Sequence, residues 1–148
     1  MTATPAPSHL VTLLANTARA GVRPLPPGSA AALCAAAADN GFVCRRLDLA
    51  DCAGKADLLC RVATALDFPD WFGHNWDALD DCLGDLSWLP AAGYVLVLEH
   101  AAGLHTGHRA DFDTALDVLR SAATGWRDQG VPFWVFVDLA GDPAPGTA

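Results

Sequence analysis

Two apolar runs constrain this chain more than any other feature: YVLVLE at 94–99 and VPFWVFVDL at 131–139. Each is too short for a helix of ordinary length and is rich in β-branched and aromatic residues, so each reads as a strand. Neither alternates polar with apolar residues, which is the pattern of a strand covered on both faces. Between them, residues 111–128 place Phe112, Leu116, Leu119, Ala123 and Trp126 on one helical stripe, and Gly130 ends that helix. A strand, a helix and a second buried strand predict a parallel pair with a crossover.

The same alternation extends upstream. FVCRRLDL, 42–49, reads as a strand, and 55–66 as a helix with Leu58, Leu59, Val62 and Leu66 on one stripe. A second helix runs from about Asn75 to Asp85, and GLHTGHR, 103–109, reads as a loop. From residue 41 the order is therefore strand, helix, helix, strand, helix, strand, which predicts an α/β fold with a small, mainly parallel sheet. Residues 41–139 form the main domain. Residues 1–40 are an N-terminal extension with a frayed start, a short helix over 9–20, an extended VRPLP piece and a helix that Ser29 caps. That order allows the extension to add a strand and a helix beside the sheet. Residues 140–148, rich in Gly and Pro, form a flexible tail.

The five cysteines show no CxxC spacing, and HLVTLLA is too short and lacks the basic flank of a secretory signal. The expectation is a cytoplasmic protein with reduced thiols, most of them packed as small core residues. No segment approaches the roughly 20 apolar residues of a membrane span.

The formal charge of −8 argues against nucleic acid as a ligand and for a basic partner. Between Arg61 and Arg109 there is no Lys or Arg, and this gap holds Asp67, Asp70, Asp77, Asp80, Asp81, Asp85 and Glu99. On a helix, Asp77, Asp80, Asp81 and Asp85 share an arc of about 140°, and Ala78, Leu79, Cys82, Leu83 and Leu86 lie opposite. Asp77 and Asp81 are an i,i+4 pair of like charge with no basic residue to relieve it. Asp disfavours helix interiors more than Glu does, so four short carboxylates here describe a rigid anionic patch. Ahead of the helix, Trp71 and Phe72 supply aromatic area, Gly73 a tight turn and Asn75 an N-cap. Fixed charge beside an aromatic edge suits an anchoring protein interface.

The stretch DFPDWFGHNWDALDDCL, followed by WLP and VLVLE, resembles the barstar family of ribonuclease inhibitors over roughly residues 41–139. The shared pattern is Pro-x-aromatic-aromatic-Gly-x-Asn-x-Asp-Ala-Leu-x-Asp-Cys-Leu, then a Pro and a buried Leu-Val-Leu-Glu strand. The resemblance implies a barstar-like three-layer fold with a three-stranded parallel sheet, to which the extension can add a fourth strand. It also implies that the Asn75–Asp85 helix and its preceding loop plug a nuclease active site, the carboxylates standing in for RNA phosphates. Asp77 and Asp81 match the family's interface aspartates. Trp71 takes the place of an interface Tyr, and Gly73, Asn75 and Trp76 fall on contact positions. Asp80 stands where the family carries a contacting Trp, Leu86 replaces another aromatic, and Ser121 an acidic contact residue.

The expected partner-binding set is therefore Trp71, Gly73, Asn75, Trp76, Asp77, Asp80 and Asp81, acting on a ribonuclease of the extracellular type or another basic toxin, as an immunity protein would. An enzyme reading would recruit His74, Asp77, Asp81 and Glu99, but no His shares the Asp arc, and His105 and His108 lie in a Gly-containing loop. The chain also has no phosphate loop and no GxSxG. The expectation is no catalytic residue, no metal and no cofactor. The alternative is a module of the same scaffold that binds a partner other than a ribonuclease.

Overall fold

The computed structural model describes residues 8–70 and 72–139. The elements follow in the order α1 (Ser8–Ala15), a 3-10 turn (Thr17–Arg19), β1 (Val22–Pro24), α2 (Ala30–Asp39), β2 (Val43–Asp48), α3 (Lys55–Ala65), α4 (Trp76–Asp85), β3 (Tyr94–Glu99), α5 (Ala102–Gly107), α6 (Arg109–Asp128) and β4 (Phe133–Val137). The strands form one parallel sheet in the order β1-β4-β3-β2. Tyr94 stands level with Val43 on one side and Phe133 on the other. The fold is thus α/β, with a small parallel sheet of four strands flanked by helices.

Alternate residues of the central strands serve two hydrophobic clusters. Tyr94, Leu96, Leu98, Phe133, Val135 and Val137 join the side chains of α3, α4 and α6 in one cluster. Val95, Val97, Trp134 and Phe136 join Leu14 of α1 and Leu33, Ala36 and Ala37 of α2 in the other. Strand side chains alternate between faces, so each face of the sheet buries one set. This is why both runs read as continuous apolar sequence.

Residues before 41 belong to this second cluster. Trp134, 0% exposed, donates its Nε1–H to the Leu14 carbonyl at 2.9 Å. Asn40 Nδ2 donates to the Val11 carbonyl at 2.8 Å. A buried indole N–H needs an acceptor, and the end of α1 provides it. At the start of β3, Gly93 leaves room for the Phe42 ring, since a Cβ there would lie 2.8 Å from two ring carbons.

Several local expectations are corrected. The loop expected over 103–109 contains α5, whose Leu104 is buried. Its burial outweighs the two Gly and the Thr that disguise the helix, and Thr106 Oγ1 bonds back to the Ala102 carbonyl at 2.8 Å. The helix expected over 9–20 stops at Ala15, after which the chain tightens into the 3-10 turn. Ser29 does not cap α2: its backbone is already helical, and its Oγ donates to the Pro26 carbonyl at 2.6 Å. Most consequentially, Cys34 and Cys44 are joined by a disulfide, against the expectation that all five thiols are reduced. The turn from α2 into β2 brings their Cα atoms within 5.5 Å, inside the reach of a disulfide. Of the three free cysteines, Cys52 and Cys82 are buried and Cys60 is exposed.

Candidate functional site: the acidic face of α4

Helix α4 is held at both ends. At its start Asn75 has extended backbone angles, and its Oδ1 accepts the Ala78 N–H at 2.8 Å. This satisfies one of the orphan donors of the first turn. Gly73 lies tight against the cap, where a Cβ would stand 3.2 Å from Asn75 Nδ2. At the far end Leu86 adopts a left-handed conformation, φ 49°, and its N–H bonds to the Cys82 carbonyl. Leu86 is only 1% exposed, so its side chain serves the core rather than a contact surface.

The buried side of α4 is Leu79, Cys82 and Leu83. It packs on α6, where Trp126 Nε1 donates to the Leu83 carbonyl at 2.7 Å. The opposite side carries Asp77, Asp80, Asp81 and Asp85, all exposed. Among the described residues none of these four carboxylates makes a hydrogen bond or an ion pair. Their combined field reaches inward: burial pushes the Cys82 thiol pKa up, and the Asp81 and Asp85 carboxylates push it further.

Beside this face, Asp80, Asp81 and Gly84 of α4 meet Ser121 and Gly125 of α6 and Gln129 at its C-terminal cap across an open notch of about 280 Å³. A Cβ on Gly84 or Gly125 would meet nothing within 4 Å, so the two glycines keep the notch open.

The aromatic part of the site is more internal than expected. Phe72 is buried, 4.9 Å from the Phe68 ring and 4.7 Å from that of His74, so it belongs to the core beneath the loop. Trp76 is half-buried against the same core, and the Lys55 ammonium lies 5.5 Å from its ring centre. Trp71 lies outside the described residues. The structure therefore brings Gly73, Asn75, Trp76, Asp77, Asp80 and Asp81 together on one short segment, with Gly73, Asn75 and the aspartates at the surface.

Sequence reading missed Lys55, Gly125 and Gln129, because they arrive from distant segments, and it reached Ser121 only through the family resemblance. Of the groups considered for catalysis, Asp77 and Asp81 stand exposed without a partner among the described residues, whereas Glu99 and the two histidines with ring contacts, His74 and His105, are engaged elsewhere. Glu99 accepts two bonds from Arg46, at 2.7 and 3.0 Å, and His105 packs edge-on to Phe112. Among the described residues, no group of three or more His, Cys, Asp or Glu is placed to hold a metal ion.

Taken together, the site is a capped, rigid helix that presents unpaired carboxylates to solvent. A comparison with curated proteins finds no match. The family model described as barstar (barnase inhibitor) matches residues 42–138, well over half of the chain. The segment from β2 to β4 thus lies within the match, and the chain belongs to the barstar family, whose members are inhibitors rather than enzymes.

Proposed function

We propose that this chain inhibits a ribonuclease of the extracellular type by placing the acidic face of α4 in the cationic cleft where the RNA phosphates bind. The observation that carries the proposal is the set of four exposed aspartates on α4 with no partner among the described residues. Like charges left unrelieved on one arc destabilise an isolated helix, so their value lies in an interaction outside the chain. A cleft lined by Arg, Lys and His supplies the missing partners. The carboxylates are preorganised by the Asn75 cap and by packing on α6, so little conformational entropy is lost on binding.

Asp81 and Asp77 form the centre of the contact. Asp80 widens the anionic surface toward the notch, and Gly73, Asn75, Trp76 and Trp71 build its edge. Inhibition needs no cofactor and no chemistry, only occupancy. Long-range attraction makes association fast and salt-sensitive. The biological setting of the family implies an immunity role, in which the inhibitor protects the cytoplasm from a nuclease made by the same or a competing cell.

A second reading is favoured by one observation. Asp80 in place of the family's Trp, beside a notch opened by Gly84 and Gly125, suits a partner that offers one more cation than barnase does. That partner could be a basic toxin of another kind. Titration of the protein into a barnase-type ribonuclease, with RNA cleavage as the readout at low and high salt, separates the two. Stoichiometric inhibition that weakens with salt supports the ribonuclease reading. Absence of inhibition at micromolar concentrations moves the proposal to another basic toxin.

A further inference from the structure

The positive charges of this acidic chain are not spread evenly in space. Five arginines are paired with carboxylates: Arg45 with Asp67, Arg46 with Glu99, Arg61 with Asp57, Arg109 with Asp113 and Arg120 with Asp117. Lys55 lies on Trp76. The remaining three, Arg19, Arg23 and Arg127, have no carboxylate partner among the described residues, and they meet around β1. Arg23 donates to the Arg19 carbonyl from Nε at 3.1 Å and Nη2 at 2.6 Å, and Arg127 Nη1 donates to the Ala20 carbonyl at 3.4 Å. The Arg23 guanidinium also lies over the Trp134 ring, 5.7 Å from its centre. It is therefore held in place before any ligand arrives.

Beside these arginines runs a groove of about 330 Å³ over the edge of the sheet. Leu25, Leu116, Val137 and Leu139 give it an aliphatic lining, to which Arg23 and Arg120 also contribute. Leu139 is the exposed large hydrophobic side chain here, 45% accessible. β1 is an edge strand. The Gly21 carbonyl and the Leu25 N–H bond to β4, which places Arg23 in register with the bonded row. By the alternation of a parallel ladder, the Val22 N–H, the Val22 carbonyl and the Pro24 carbonyl face outward. Pro24 offers no N–H, so this edge can hold only a short segment and resists open-ended strand pairing.

We propose that the β1 edge is a docking site for a short extended peptide segment of a partner protein that combines carboxylates with aliphatic side chains. The peptide backbone pairs with Val22 and Pro24, its aliphatic side chain lies on Leu139 and Val137, and its carboxylate pairs with Arg23. The lining is aliphatic and offers no aromatic face for bases to stack on, so a peptide suits it better than a single-stranded nucleic acid. The groove takes no lining residue from α4 and the notch beside α4 takes none from β1, so the site stands independently of the inhibitor proposal.

The test is fluorescence anisotropy with the full chain and a fluorescein-labelled, acetylated (Glu-Val)3 hexapeptide. The expected result is saturable one-to-one binding, at least tenfold weaker for (Gln-Val)3 and for a form N-methylated at the central residues. Arg23→Gln and Leu139→Ser each weaken it at least fivefold. Arg109→Gln, which removes an equal charge elsewhere, leaves it within twofold. Equal binding of the Glu and Gln peptides, tighter binding of a hexameric RNA than of the peptide, or no saturation at 1 mM peptide would overturn the proposal.

Discussion

The Lys55 ammonium lies 5.5 Å from the centre of the Trp76 ring, and the Lys55 backbone N–H donates to Asp111 Oδ2 at 3.0 Å. One residue thus ties the start of α3 to α6 and also covers the first residue of α4. A cation over an indole contributes about 0.5–1 kcal/mol at a partly exposed site. Lys55→Met keeps the aliphatic stem and removes the charge. Its expected effect is a loss of stability of that size in urea unfolding, with a shift in Trp emission. It also removes a positive charge beside the acidic face, so association with a cationic partner should quicken at low salt. Unchanged emission and stability would show that the contact contributes nothing.

Asn75 provides the cap of α4 through the Ala78 N–H. Replacement of such a cap by Ala costs about 1 kcal/mol. Asn75→Ala should lower the unfolding free energy by that amount, and Asn75→Asp should retain most of it because a carboxylate at a helix start accepts the same bond and suits the dipole. Equal losses in both variants would contradict the cap assignment.

The Cys34–Cys44 bridge closes a loop of sequence separation 10. A loop of this size contributes about 2–3 kcal/mol on the chain-entropy account. Reduction, or the double replacement of both residues by Ser, should lower the urea midpoint accordingly. In the native oxidised protein only the exposed Cys60 should react quickly with a thiol reagent. Cys52 and Cys82 are buried, and burial raises the pKa of both thiols, so they should react only on unfolding. Fast reaction of Cys34 and Cys44 alongside Cys60 would mean that the bridge does not form in solution.

The acid side of the stability curve has identifiable contributors. The Arg61 hydrogen bond, and then the Ala53 N–H, hold the Asp57 carboxyl below its ordinary pKa. The Ala50 N–H, and then His100, do the same for Asp48. A carboxylate with a depressed folded pKa stabilises the fold above the unfolded value of about 3.9, and that contribution is lost as pH falls through the folded value. Urea midpoints should therefore fall below about pH 4, and the fall should be shallower in Asp57→Asn. An identical slope in the variant would remove Asp57 from the account.

How legible this protein is depends on how local each feature is. YVLVLE and FWVFV announced buried strands because period and composition are carried within each run. The four aspartates on one side of α4 were legible for the same reason, since a helix of known phase fixes which residues share an arc. Features made by contact between distant segments were not. Gly125 and Gln129 reach the notch only because α6 packs on α4, and Lys55 reaches Trp76 only because the start of α3 lies beside it, whereas Ser121 was named through the family resemblance alone. Cys34 and Cys44 needed the path of the chain between α2 and β2. The sequence placed Phe72 only in the aromatic stretch ahead of α4, and its burial comes from contact with Phe68 and the core cluster beneath the loop.

The central claim is that the carboxylates of α4, rather than net charge, drive inhibition. The most direct measurement compares Asp81→Ala with Asp39→Ala, each binding a barnase-type ribonuclease across a salt series. Asp39 is also exposed and unpaired among the described residues, but it lies at the end of α2. The account predicts that Asp81→Ala weakens binding by about 2 kcal/mol or more, roughly 30-fold in Kd, and flattens the salt dependence, whereas Asp39→Ala stays within about twofold. Equal losses in the two variants would contradict it.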